Sequence, residues 1–137
     1  MNTVKVVAPN FIFDVWKDVE SFLNASINVS GGDFTLDQLK FSLSRGEQTL
    51  LVSVNEQNVI NGAMTVEFTN RPNDRVMFIT ALGGSGIVND ETFSQVEDWA
   101  KSQGATKACA WAQEAQARLY KIKANFNTVR MVVEKDL

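Results

Sequence analysis

Ala81-Leu82-Gly83-Gly84-Ser85-Gly86 follows the apolar run Val76-Met77-Phe78-Ile79 and leads to Asn89-Asp90, where a helical pattern begins. The run is apolar on both faces, which predicts a central strand over Arg75–Leu82 covered from two sides. Asn89 or Asp90 supplies a helix cap, and Phe93, Val96, Trp99 and Ala100 recur behind it at helical spacing. A strand that enters a helix through glycines gathers backbone N–H groups and the positive end of a helix dipole at one spot, which suits an anion. The same stretch also reads as a plain strand-to-helix connection, because glycine turns are common.

Upstream, the pattern has period two. Leu50, Val52 and Val54 alternate with Thr49, Leu51 and Ser53, and Met64, Val66 and Phe68 alternate with Ala63, Thr65 and Glu67. The polar stretches Asn55-Glu56-Gln57-Asn58 and Arg71-Pro72-Asn73-Asp74 are turns, so three strands meander into the glycines. Gly62 marks a bulge in the middle strand. Nearer the N-terminus, Thr3–Ala8 is β-prone. Ile12, Val15, Trp16, Val19, Phe22 and Leu23 form one apolar helix face, and the Asn- and Ser-rich stretch Asn24–Gly32 reads as a loop. Thr35-Leu36-Asp37-Gln38 is a capping box for a short helix with Leu36, Leu39 and Leu43 inward, stopped by Gly46. Downstream of the glycines, Gly104 ends a helix and Ala105–Trp111 reads as a strand. Glu114–Ala124 reads as a helix with Lys121 and Lys123 late, where the dipole favours cations, and Asn125 takes the left-handed position past its end. Val129–Val133 reads as the last strand, and Trp16, Trp99 and Trp111 fall at core-facing positions.

The chain has 137 residues, 45% of them hydrophobic, with nine Phe and three Trp, which fits one folded domain over 1–137 with a sizeable core. A formal net charge of -3 argues against a nucleic-acid surface or a basic membrane-binding face. No apolar run approaches the roughly 20 residues of a membrane helix, and the first residues lack the pattern of a signal peptide. The single cysteine, Cys109, fits a reducing, cytoplasmic setting and reads as a small buried hydrophobe on a strand. Histidine is absent, which removes Ser/His/Asp and Cys/His catalysis and, with one Cys, a structural zinc site.

The order strand, two helices, three meandering strands, glycine turn, helix, strand, helix, strand resembles that of the GNAT superfamily, the GCN5-related N-acetyltransferases. The resemblance covers nearly the whole chain. It implies an α/β (α+β) fold, with a mixed, mostly antiparallel central sheet and helices on both faces. It also implies acetyl-CoA as cosubstrate, lying where the strand before the glycine turn and the next strand splay apart. The family pattern is Gln or Arg, two residues, Gly, one residue, then Gly or Ala; here Ala81 takes the first place and Gly84 and Gly86 the glycine places. Ile79, Ala81, Gly83, Gly84, Ser85 and Gly86 are the residues the resemblance implies at the cofactor. Ile87-Val88 delay the helix by a turn.

Near the C-terminus, the family often carries Asn, a short helix with a Leu-Tyr pair, then Gly-Phe. Two registers fit Gln113–Phe126. One aligns Leu119-Tyr120 with Leu-Tyr, places Gln113 in the Asn position and needs one extra residue before Phe126. The other aligns Asn125-Phe126 with Gly-Phe without a gap and puts Lys121 in the Tyr position. The first register implies that Tyr120 protonates the departing CoA thiolate. The second is similar to divergent GNAT-like proteins encoded by some tailed bacteriophages, and leaves Tyr120 to packing.

Glu67 is a candidate base for an amine substrate, acting directly or through water, and equally a solvated carboxylate on the polar face of a strand. Two functions follow. One is transfer of an acetyl group from acetyl-CoA to an amine of a small molecule or peptide. The other is a structural or interaction role on a GNAT-like fold whose chemistry has decayed, a reading that Ala81 and the lack of a compelling base favour.

Overall fold

The computed structural model describes residues 2–29 and 34–137. Five strands form one sheet in the order β1 (Thr3–Val7), β2 (Thr49–Val54), β3 (Ile60–Asn70), β4 (Arg75–Gly84) and β5 (Lys107–Ala110). Neighbouring strands run antiparallel except β4 and β5, which are parallel. Helices α1 (Ile12–Val29) and α2 (Leu36–Ser44) pack on one face of the sheet, and α3 (Asp90–Ser102) and α4 (Glu114–Ala124) on the other. The mixed, mostly antiparallel sheet with helices on both faces is the architecture expected from the element order. No helix among the described residues is long and apolar enough to cross a membrane.

The period-two pattern sorts the core. Leu50, Val52, Val54, Ala63 and Ala81 join Trp16, Val19, Leu23, Leu39 and Leu43 under α1 and α2. The intervening residues Leu51, Met64, Val66, Met77 and Ile79 meet Phe93, Val96 and Ala100 of α3. Both faces of β4 are covered, as its two-sided apolar run requires. The capping box forms as read: Thr35 accepts from the Gln38 amide and Gln38 accepts from the Thr35 amide. Gly46 and Asn125 adopt positive φ at the ends of α2 and α4.

Four readings need correction. Helix α1 does not stop at Leu23 but continues to Val29, because Ile27, one turn on, is buried in the same cluster; packing there outweighs the weak helix propensity of Asn and Ser. Positions 30–32 of the expected loop lie outside the described residues. Gly83 and Gly84 are not turn residues but the last residues of β4, paired with Ala63 and Gly62. Val129–Val133 forms no strand: it joins no ladder, and Val129, Met131 and Val133 are 74%, 89% and 89% exposed. A β-prone pattern becomes a strand only against a paired edge. Trp111 is not in the core but 54% exposed, with its ring edge-on to Phe78.

Candidate functional site

The sheet opens between β4 and β5. Their parallel register ends at Ile79↔Ala110, where β5 stops, while β4 runs on to Gly84. A bulge sits at the opening. Thr65 pairs with Ala81 but Val66 pairs with Ile79, which leaves Thr80 as the extra residue. Bulges bend a strand and raise its twist. The Thr80 hydroxyl is committed away from any ligand, since it donates to Gln48 Oε1 at 2.5 Å and stands 2.7 Å from the Thr65 hydroxyl. The second register shift, between Ser53 and Val54, leaves Asn61 unpaired beside Gly62, where the sequence marks a bulge.

A cavity of about 360 Å³ fills the wedge, within the usual size range of small-molecule pockets. One wall is β4 from Ile79 to Gly84. The opposite wall is α4, through Gln116, Leu119, Tyr120 and Lys123. These four residues follow i, i+3, i+4 and i+7, a single helix face. Val88 and Asn89 close the end at the start of α3, and Ser26 reaches in from α1.

Five of the six residues expected at the cofactor line this cavity: Ile79, Ala81, Gly83, Gly84 and Ser85. The sixth, Gly86, is buried outside it, and its amide donates to the Asn61 carbonyl at 3.2 Å. Tyr120 lines the cavity and Lys121 does not, so the first register brings its tyrosine to the site. Glu67 pairs with Phe78 and stands outside the lining. Ala81 offers no polar side chain, because the residue is 3% exposed and its methyl packs under α1.

The hydrogen bonds at the glycines divide what is used from what is free. The Leu82 amide donates to Ser26 Oγ at 2.9 Å, and Asn89 caps α3 by accepting from the Thr92 amide. Ser85 is exposed at the cavity, and its amide and hydroxyl make no hydrogen bond among the described residues. Helix α3 begins at Asp90, six positions past Gly84, as the delay at Ile87-Val88 implies. The segment between is tethered by Asn61, whose side chain accepts from Ser53 and donates to Asn2.

Lys123 is the one charged side chain in the lining, and no carboxylate joins it among the described residues. Tyr120 packs on Phe126, and burial pushes its hydroxyl up to about 12, so the phenol stays protonated at neutral pH. The α4 face is legible as a spacing, but in the sequence the helix dipole alone accounts for its Lys. Ser26 was hidden in a segment read as loop.

No family model matches the sequence, and no curated protein matches it. Solved structures do resemble the fold. A predicted acetyltransferase with acetyl-CoA from Clostridium acetobutylicum superposes with a TM-score of 0.66 at 15% identity, over 99% of this chain and 96% of that one. An aminoglycoside acetyltransferase from an uncultured soil metagenomic sample, in complex with sisomicin, gives 0.69 at 12% identity over 99% and 96%. An aminoglycoside 6′-N-acetyltransferase from Acinetobacter baumannii gives 0.67 at 15% over 100% and 99%. Identity this low speaks to the fold alone, and the chain has the GNAT acetyltransferase fold.

Proposed function

We propose that the protein binds acetyl-CoA in the β4–β5 wedge and transfers the acetyl group to an amine of a small molecule or peptide. The observation that carries this reading is the cavity itself. It brings an unpaired stretch of β4, the free Ser85 amide and hydroxyl, a protonated tyrosine and one lysine to a single surface. The residues suit the ligand: phosphate oxygens accept from Ser85 and from an ammonium, and a thioester arm lies along a free strand edge. The solved structures of similar fold, one with acetyl-CoA and one in complex with sisomicin, are compatible with it.

Polarisation of the thioester carbonyl falls to backbone N–H groups of β4 other than that of Leu82, which Ser26 holds. The amine nitrogen attacks the carbonyl carbon, the C–N bond forms and the C–S bond breaks, with its electron pair leaving on sulfur. Tyr120 gives its phenolic proton to that thiolate and regains one from solvent, while the amine loses its proton to water. No carboxylate lines the cavity among the described residues, so the amine enters as its neutral free base.

A second reading has its own support. The glycines are accounted for by packing, and the Leu82 amide is already satisfied by Ser26. On that reading the fold serves as a structural or interaction module. A thermal-shift titration separates the two. A ligand present at 100 times its dissociation constant adds about 2.7 kcal/mol to stability, so acetyl-CoA should raise the melting temperature by several degrees. No shift at millimolar acetyl-CoA would sink the enzyme reading.

A further inference from the structure

We propose that Lys123 is the phosphate-binding cation of this site, in place of the polar side chain that Ala81 cannot supply; the assignment rests on the acetyl-CoA reading above. A pyrophosphate brought into an acidic protein needs a positive counter-charge nearby. Position 81 gives none, because its side chain is a methyl buried under α1, on the far side of the sheet from α4. The opposite wall gives one. Lys123 is exposed on the last turn of α4, lines the same cavity as Gly84, Ser85 and Asn89, and is its single charged residue among the described residues. Among the described residues the ammonium is also uncommitted. Asp90 and Glu97 border a smaller cavity on its other side, yet neither forms an ion pair with it. Ser85 across the wedge offers an unused N–H and O–H. A neutral donor pair on one wall and an ammonium on the other make an anion clamp that does not need position 81.

The competing explanation is the helix dipole, which favours any cation in the last turn of α4. Lys121 sits in that turn too and lines neither cavity, so it is the internal control. The experiment is calorimetric titration of the full chain with acetyl-CoA at low and high salt, for the wild type, Lys123→Gln, Lys123→Arg and Lys121→Gln. Lys123→Gln should weaken binding about tenfold at low salt and flatten the salt dependence. Lys123→Arg should keep most of the affinity, and Lys121→Gln should match the wild type. Equal affinity and equal salt slope in Lys123→Gln and wild type overturn the proposal, as does an equal loss in Lys121→Gln. A wild type that binds no acetyl-CoA overturns the cofactor reading itself, a different outcome from either.

Discussion

The carbonyl oxygen of Phe22 lies so close to Gly83 that a Cβ at position 83 would stand 2.1 Å from it. Helix α1 therefore rests on the backbone of β4, with no room for a side chain between them. Gly84 is similarly placed: its φ is +91°, and a Cβ there would meet the Asn61 carbonyl oxygen at 2.5 Å. At Gly86 the obstacle is a side chain instead, Asn61 Oδ1 at 2.0 Å. These glycines have a folding role that holds whether or not a ligand binds. Loss of ligand on mutating them would not by itself identify a phosphate site.

Gly83→Ala should destabilise the fold by about 3 kcal/mol, at the upper end of overpacking costs, because a helix backbone must retreat from the sheet. Gly86→Ala should cost less, since the Asn61 side chain is able to rotate, though it gives up its bonds to Ser53 and Asn2. Urea unfolding midpoints of the two variants test the order. Equal, near-wild-type midpoints would show that α1 does not rest on β4 in this way.

Much of this arrangement was legible in the residues. Alternation at Leu50–Val54 and Ala63–Phe68 assigned the two faces of the sheet, and the Thr35 box and Asn125 marked helix ends that form as read. What stayed hidden depends on distant contacts. That Gly83 belongs to a strand depends on Ala63 across the ladder, and that Ser26 belongs to a helix depends on Ile27 finding the core. The sequence placed Glu67 and Tyr120 as candidates alike. Only the wedge between β4 and α4 separates them, bringing in Tyr120 and leaving Glu67 outside. No local pattern reports that a parallel pair ends at Ile79 while one strand runs on.

Ser26→Ala should remove the acceptor of the Leu82 amide and leave that donor unsatisfied in the ligand-free protein. The expected cost is about 1 kcal/mol of stability. If acetyl-CoA binds as proposed, it should offset more of this loss than a ligand bound elsewhere, because the freed Leu82 amide would then have a carbonyl of the ligand to donate to. Melting temperatures of both proteins with and without acetyl-CoA decide it. A variant as stable as the wild type would mean that the Ser26 contact carries no weight.

Tyr120→Phe should lower kcat by about 10² or more, the usual contribution of a positioned acid, and leave the KM for acetyl-CoA nearly unchanged. With the phenol held up to about 12, the wild-type rate should rise with pH as the amine loses its proton and show no alkaline fall below pH 10. Steady-state rates from pH 6 to pH 10 test both parts. Unchanged turnover in the variant would return Tyr120 to packing.

Tyr120 also ties stability to pH, with a definite sign. In the unfolded chain the phenol ionises near pH 10, whereas burial keeps it protonated in the folded protein to about 12. Between those values the unfolded state has given up a proton that the folded state retains. Rising pH then favours unfolding, and the loss of stability begins near pH 10 and is complete near pH 12. Its size is on the order of 3 kcal/mol. The informative quantity is the difference between wild type and Tyr120→Phe. That difference should be constant from pH 7 to pH 9 and then move against the wild type by pH 11, in unfolding midpoints measured at each pH. Parallel curves across the whole range would mean that the Tyr120 hydroxyl is as well solvated in the folded protein as in the unfolded chain.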